Sequence, residues 1–160
     1  MNNPTDSSEQ ATSKTISTKR QHGVLTSGRT WILLAGLLGA SGVALGAYHA
    51  HGLEKALLAR GIEPSEVDRL LNTCGIAVQF QMIHALALLA VGILAVHSES
   101  TLLSTSAILM LLGTLLFSGG IYLHVLTGRQ LHWSIVPLGG LAWIVGWLVL
   151  AADAIVRRKA

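Results

Sequence analysis

Four long apolar segments, separated by short polar ones, dominate the pattern of hydrophobic and polar positions along the chain. They cover about residues 31–48, 76–96, 102–126 and 135–155. At about 1.5 Å per helical residue, the shortest of them extends about 27 Å, which is close to the thickness of the hydrocarbon layer of a bilayer. The pattern predicts an all-α integral membrane protein in which all four segments are spanning helices.

The connections between the later segments are short. Only a handful of residues, in "HSESTL" and "TGRQLHW", join the second segment to the third and the third to the fourth. Connections of this length force consecutive helices to lie antiparallel. We therefore expect a four-helix bundle that covers residues 30–157.

The longest connection, residues 53–74, has the pattern of two amphipathic helices. Leu53 and Leu57 fall on one helical face, Gly61 then interrupts the pattern, and Pro64 begins a second helix with its own apolar stripe. We expect an amphipathic helical hairpin at the membrane surface between the first and second spanning helices.

The segment that precedes the first apolar run, residues 1–29, is predicted to be a disordered polar tail. It is rich in Ser, Thr, Asn and Gln and has almost no large apolar residue before Val24, so it cannot offset the entropy lost on ordering. A cleaved signal peptide is the alternative for the first apolar run. The long polar leader and the three apolar runs that follow favour a retained helix.

The composition agrees with a membrane environment. Apolar residues make up 51% of the 160 residues and charged residues only 12%, about half the charged share of soluble domains. The Lys and Arg residues lie at the two ends and in the connections, without a dense basic run, so we expect membrane lipids and no nucleic acid as partners. The single cysteine, Cys74, excludes an intramolecular disulfide and a multi-cysteine zinc site.

The basic residues also predict the orientation of the helices. With four spans, the tail, the second connection and the C-terminus face one compartment, and the first and third connections face the other. The first compartment then holds seven of the 11 Lys and Arg residues. Because these residues concentrate on the cytoplasmic side, both termini are expected to be cytoplasmic.

Glycine is frequent within the apolar segments and predicts close packing of the helices. Lipid removes most of the hydrophobic drive between helices, so packing at small residues must replace it. The first segment is rich in glycine, and we expect it at the centre of the bundle. The candidate packing residues are Gly42, Gly46, Gly119, Gly139, Gly140 and Gly146.

Four shorter segments are distinctive: "GAYHAHGL" (46–53), "FQMIHALAL" (80–88), "FSGGIYL" (117–123) and "PLGGLAWIVGW" (137–147). In order and spacing they resemble the signature segments of the YgdD-like family of small bacterial inner-membrane proteins, which are classed as a domain of unknown function. The resemblance extends over about residues 31–152. It implies four spanning helices in the bacterial inner membrane and no established activity.

The resemblance also implies which residues occupy the family's pattern. Phe80 and Gly120 replace its usual tyrosine and serine, and His49 and His124 lie outside it. The matching positions are His51, Gly52, Gln81, His84, Ser118, Gly119, Tyr122, Pro137, Gly139, Gly140 and Gly146.

Five polar residues are predicted to lie in the same half of the bundle, near the hairpin: His51, Gln81, His84, Ser118 and Tyr122. In hydrocarbon an unsatisfied polar group costs several kcal/mol, so each of them needs a partner. Two interpretations stay open. The residues either bond across helices in a structural or accessory envelope protein, or they line a pocket that binds a small molecule, a lipid or a metal ion.

The sequence offers no catalytic constellation. The one acidic residue within an apolar segment, Asp153, lies at the opposite end from the polar cluster, so a proton relay or a metallohydrolase would lack its carboxylate. We expect no enzyme activity, no cofactor and no bound metal. We also expect His51 to contribute to stability and His49 to be dispensable, because His51 precedes Gly52, where the first helix should end. The oligomeric state stays open.

Overall fold

The computed structural model describes residues 28–98, 100–129 and 132–157. Within them lie five helices and no strand: α1 (Gly28–His51), α2 (Leu53–Ala59), α3 (Pro64–His97), α4 (Thr101–Thr127) and α5 (Ile135–Arg157). Four of them, α1, α3, α4 and α5, are long and apolar enough to cross a membrane. The predicted all-α membrane fold with four spans is confirmed.

The first helix starts earlier than its apolar pattern indicated. The predicted polar tail, residues 1–29, lies outside the described residues except for Gly28 and Arg29, and both of these already belong to α1. Gly28 packs directly against the backbone of α3 beside Val96. The start of α1 and the end of α3 therefore lie at the same end of the bundle, which we call the termini end; the opposite end is the loop end.

The third helix, α3, is continuous over 34 residues. The second arm of the predicted hairpin and the second spanning segment are therefore one helix, without the boundary expected near Gly75. A single glycine costs a helix only about 1 kcal/mol, which is too little to end it here. With a length of about 51 Å, α3 extends about four turns beyond a hydrocarbon layer about 30 Å thick.

The short helix α2 closes the loop end. Only Gly52 separates α1 from α2, and Gly61, at φ +73°, turns the chain back toward α3. Leu53 and Leu57 are almost fully buried in a core shared with α3 and α4. The hairpin is thus anchored on the bundle by its apolar face.

One basic residue of this hairpin binds the end of another helix. Nη1 of Arg60 donates to the backbone carbonyls of Val125 and Leu126, at 3.2 Å each, in the last turn of α4. The last carbonyls of a helix lack partners within the helix and carry its negative dipole end, so a cation stabilises them.

The long helices pack in the order α1, α3, α4, α5, each against the next. The expectation that the glycine-rich α1 lies at the centre is wrong, because α1 packs mainly along α3. Leu33, Leu37 and Val43 on its outer side are 63%, 59% and 62% exposed. These side chains are apolar, and they suit contact with lipid.

Small residues at seven-residue spacing allow α4 and α5 to approach closely. Oγ of Ser106 donates to the Gly146 carbonyl at 2.9 Å. The Gly113 carbonyl oxygen lies 3.0 Å from the point that a Cβ of Gly139 would occupy. A seven-residue repeat has a period of 3.5 residues, which keeps a contact line continuous along two packed helices.

The same spacing occurs where α1 meets α3. Gly28, Ala35 and Gly42 are the buried residues at seven-residue steps of α1. A Cβ on Gly42 would lie 2.6 Å from Sδ of Met82, and one on Gly46 would lie 3.3 Å from a side-chain carbon of α3. Both predicted packing glycines of α1 therefore lie against α3.

Two other candidate packing glycines do not meet a neighbouring helix closely. A Cβ on Gly119 would have no heavy atom within 4 Å, and one on Gly140 would reach only the ring of Phe117, at 3.9 Å. Each lies one position away from a seven-residue contact line, next to the buried Gly120 and Gly139. A helix turns by about 100° per residue, so adjacent glycines face different surroundings.

We predict that Gly139→Ala destabilises the protein and that Gly119→Ala, the matched control, does not. The Cβ at position 139 would lie 2.5 Å from the backbone nitrogen of Phe117, so α4 and α5 must separate, at a cost of about 1–3 kcal/mol. Thermal unfolding in mild detergent, followed by circular dichroism, measures the difference. Equal midpoints for the two variants would contradict the close α4–α5 contact.

Candidate functional site

The first predicted site residue, Gln81, joins α3 to α1. Its side chain is 3% exposed. Nε2 donates to the Leu38 carbonyl at 2.8 Å and to Oγ of Ser41 at 2.9 Å. Both amide hydrogens are used, so Gln81 is a satisfied interhelical donor.

Two further predicted residues lie on α4. Oγ of Ser118 is buried and donates to the Ala77 carbonyl of α3 at 2.9 Å. Tyr122 is 8% exposed and packs in the core beneath α2. Its hydroxyl has no hydrogen-bond partner within the described part of the chain. Ser118 therefore joins α4 to α3, whereas Tyr122 contributes its ring to the apolar core.

The geometry of His84 fixes the roles of its two ring nitrogens. Nδ1 lies 2.8 Å from the Phe80 carbonyl, and a carbonyl only accepts, so Nδ1 carries the hydrogen. Nε1 of Trp147 donates to Nε2 of His84 over 3.4 Å, so Nε2 is the unprotonated acceptor. The imidazole stacks on Trp143, with ring centroids 3.7 Å apart and planes within 4°. The imidazole is therefore neutral. The lone pair of its Nε2 points toward α5, where Nε1 of Trp147 is a distant donor.

The five residues of the predicted polar cluster do not come together in one place. Gln81 lies in the α1–α3 interface, Ser118 in the α3–α4 interface, and His84 faces α5. Tyr122 lies in the core beneath α2, and the side chain of His51 is exposed and makes no hydrogen bond to the described residues. Similar depth did not produce proximity, because the side chains leave their helices on different faces.

His49, and not His51, forms a hydrogen bond to a neighbouring helix. The helix continues through both residues, so their side chains point about 200° apart. Nε2 of His49 donates to the Leu71 carbonyl of α3 at 2.9 Å. His49 lies seven positions after Gly42, on the line along which α1 meets α3, and this spacing is the sequence signal that could have identified it.

Beside these residues lies a groove between α3 and α5, which has a volume of about 640 Å³. We call it the α3–α5 groove. Nε1 of Trp143 donates to the Met110 carbonyl of α4, at 3.2 Å, and to Oγ1 of Thr114, at 3.4 Å, which fixes the indole between the helices. The lining consists of Phe80, Ile83, His84, Phe117, Pro137, Gly140, Leu141, Trp143, Ile144 and Trp147.

The groove opens toward the lipid, and the polar side-chain atoms of its lining are the ring nitrogens of His84 and of the two tryptophans. Ile83, Leu141 and Ile144 at its rim are 45%, 54% and 59% exposed. His84 is the one ionisable side chain in the lining. Among the described residues, no group of three or more His, Cys, Asp or Glu side chains could hold a metal ion. The groove is suited to hold an apolar molecule with one hydrogen-bonding group.

Sequence reasoning singled out His84 but not the two tryptophans beside it. Trp143 and Trp147 are four residues apart in "AWIVGW", a spacing that places both on one face of a helix. Two large aromatic residues on the same face of a spanning helix are the signal that could have pointed to the groove.

Comparison with known proteins gives one family. Residues 45–140 match the family described as "Protein of unknown function (DUF423)". The chain is 34% identical to the UPF0382 membrane protein YwdK of Bacillus subtilis, over 79% of this chain and 97% of the relative. It is 30% identical to the UPF0382 inner membrane protein YgdD of Escherichia coli, over 82% of this chain and 94% of the relative. No solved structure is significantly similar to the chain.

We predict that His49→Ala lowers the stability of the protein and that His51→Ala leaves it unchanged. The first change removes a bond between α1 and α3, which contributes about 1 kcal/mol, whereas His51 has no partner to lose. The midpoint of thermal unfolding in detergent distinguishes the two variants. A larger loss for His51→Ala would restore the role expected from the sequence.

Proposed function

The chain belongs to the DUF423 family, whose members are membrane proteins of unknown function, and we propose that it binds a small uncharged apolar molecule of the bilayer in the α3–α5 groove. The observation that carries the proposal is the position of His84. Its neutral imidazole lies in the lining of a lipid-facing groove, with one ring nitrogen held by the Phe80 carbonyl and the other available as an acceptor.

The lining restricts the charge of the molecule. Apart from His84, it consists of apolar and aromatic residues, and a charge within the hydrocarbon layer is costly without a partner. A volume of about 640 Å³ lies within the range of roughly 300–1,000 Å³ that is typical of pockets for small molecules. The occupant is therefore uncharged and small.

The acceptor atom of the groove, Nε2 of His84, restricts the chemistry of the bound molecule further. Nε2 of His84 receives only the long bond from Trp147, at 3.4 Å, so a hydroxyl group of a ligand makes the shorter and stronger bond. His84 lies about eight residues, or about 12 Å, inside the apolar part of α3. This depth suits a molecule dissolved in the hydrocarbon layer better than a glycerolipid, whose polar group stays at the surface. Stacking on Phe80, Phe117 and Trp143 favours a hydroxylated ring.

A binding function agrees better with this lining than catalysis does. Among the described residues, the groove has one imidazole and no carboxylate, thiol or hydroxyl beside it, and acid–base or nucleophilic catalysis uses a second group. The second candidate function is that of an accessory protein that receives a helix of another membrane protein in the same groove. The exposed rim residues Ile83, Leu141 and Ile144 favour that candidate, since they are apolar.

We further propose that the protein lies in the bacterial inner membrane with both termini in the cytoplasm. Arg157 bonds to Ser98, and Gly28 lies beside Val96, so the described beginning and end of the chain share the termini end. The Lys and Arg distribution supports a cytoplasmic location for this end. Arg60, on the other side, is engaged by the carbonyls of α4 and contributes less to orientation than a free cation.

We predict that a fluorescent protein fused after Ala160 is bright in bacterial cells and that alkaline phosphatase fused at the same position is inactive. The former folds in the cytoplasm and the latter needs the oxidising periplasm. Fusions placed after Gln130, in the connection between α4 and α5, are the matched control and should give the opposite pair of signals. The reverse pattern at both positions would overturn the proposed orientation.

We predict that 4-octylphenol raises the thermal midpoint of the protein in nanodiscs and that its methyl ether, 4-octylanisole, raises it much less. The ether lacks the hydroxyl that donates to His84, and one such bond is worth about 1 kcal/mol, or roughly fivefold in affinity.

The variants His84→Phe and Gly140→Leu should both abolish the difference between the two compounds, the first by removing the acceptor and the second by filling the groove. His97→Phe and Gly119→Leu are the controls, because His97 is exposed at the end of α3 and Gly119 faces open space. Equal stabilisation by phenol and ether would contradict the role of His84. If neither compound raised the thermal midpoint and the purified chain formed a stable dimer, a helix would be favoured as the occupant of the groove.

A further inference from the structure

A second cavity adjoins the α3–α5 groove on the side of the termini end. Its volume is about 410 Å³, and Trp147 lines both openings. We call it the terminal cavity. The lining consists of Leu94, Trp147, Leu150, Ala151, Asp153, Ala154 and Arg157. Its deep part is apolar, and its two charged residues lie in the last turns of α5.

The two charged residues form a fixed pair. The side chain of Asp153 is 7% exposed. Its Oδ1 accepts from Oγ of Ser100 at 2.5 Å, and its Oδ2 forms an ion pair with Nε of Arg157 at 2.6 Å. Both carboxylate oxygens have a partner, so the buried charge of Asp153 is satisfied.

Arg157 is held in place by this carboxylate and by a second bond, from Nη1 to Oγ of Ser98. A guanidinium group has five N–H donors. The ion pair with Asp153 and the bond to Ser98 engage Nε and Nη1, and Nη2 has no partner among the described residues. The side chain of Arg157 is 38% exposed. The structure thus presents a positioned guanidinium group, with free donors, at the mouth of an apolar cavity.

The length of the cavity matches one leaflet of a bilayer. Arg157 lies beside the connection between α3 and α4, where the chain leaves the apolar segments. From Arg157 to Trp147 the helix runs about ten residues, or about 15 Å. This distance is about half of a hydrocarbon layer about 30 Å thick. An acyl chain that lies against Leu94, Leu150 and Trp147 therefore has its polar end at the level of Arg157.

We propose that the terminal cavity is a phospholipid site, in which the phosphate of the headgroup accepts hydrogen bonds from Arg157 and an acyl chain occupies the apolar part. Arginine suits this role because its planar donors match two phosphate oxygens at once. Asp153 acts as a positioning residue that keeps the guanidinium at the mouth of the cavity. Its negative charge also offsets that of Arg157, so the site recognises the phosphate by directed hydrogen bonds more than by net charge.

The site is independent of the proposed function of the α3–α5 groove. His84 lies about 15 Å along α3 from Leu94, by the rise of a helix, and the terminal cavity does not include it. The two cavities also differ in chemistry, since one offers an acceptor for an uncharged hydroxyl and the other offers donors for an anionic group.

Native mass spectrometry of the full chain in mild detergent tests the proposal. The probes are dioleoylphosphatidylglycerol and dioleoylglycerol, which have the same acyl chains with and without a phosphate. We expect retained adducts with the phospholipid at roughly tenfold lower concentration than with dioleoylglycerol. Sodium phosphate alone should neither form an adduct nor displace the phospholipid. Equal retention of the two lipids, or displacement by free phosphate, would overturn the phospholipid site.

Two variants examine the two parts of the site separately. Arg157→Gln removes the donors, and Ala151→Phe fills the apolar part at an exposed position while it keeps the Asp153–Arg157 pair intact. Each should weaken phospholipid retention about tenfold. Arg157→Lys should recover only part of it, because lysine keeps the charge but loses the planar donors.

The control variants are Arg129→Gln, which changes an exposed arginine at the loop end, and His84→Phe, which changes the groove. Both should retain the phospholipid as the unaltered chain does. If His84→Phe also lost retention of the phospholipid, the two cavities would act as one site, and the proposal of a separate phospholipid site would be overturned. Unchanged retention in both Arg157→Gln and Ala151→Phe, or a dimer that excludes phospholipid, would overturn it as well.

Discussion

Close approach of helix backbones at small residues is the constraint on which the rest of this bundle depends. A leucine-rich helix gains little by leaving lipid for the surface of another apolar helix, so association relies on packing and on interhelical hydrogen bonds. Here glycine, alanine and serine repeat every seven positions along both the α1–α3 and the α4–α5 contacts. The repeat keeps each contact continuous over several turns, and it fixes which faces of α4 and α5 meet.

The polar residues of the spans add direction to this packing. Three interhelical hydrogen bonds are made by the side chains of Gln81, His49 and Ser118. Each lies at a different pair of helical turns, and α3 takes part in all three. Hydroxyl and amide donors that would be costly in hydrocarbon thereby fix the position of α3 between α1 and α4. His84 differs from them, because its nearest partner on another helix is a distant indole. In the α3–α5 groove it is the acceptor with capacity left for a ligand.

The groove and the terminal cavity follow from the same arrangement. The tight contact of α5 lies against α4, whereas Trp143 and Trp147 stand between α5 and α3. The space beside these rings is open to lipid along the length of α5. Near its middle the space offers one acceptor, and at the termini end it offers the guanidinium donors of Arg157. The depth at which a membrane molecule carries its polar group would then select between the two positions.

The sequence by itself determined the number of spans, their approximate limits and the membrane environment, because the length of an apolar run and the cost of unpaired backbone groups in lipid leave few alternatives. It also singled out His84, Gln81 and Ser118 as polar residues that need partners. Only the tertiary structure decided which partners they have, that α1 lies at the edge, and that His49 bonds to α3 while His51 is exposed. The physical reason is that lipid is as apolar as a protein core. In a soluble helix the hydrophobic stripe marks the buried face, whereas here every face is apolar, and the inward face is set by small residues and single hydrogen bonds.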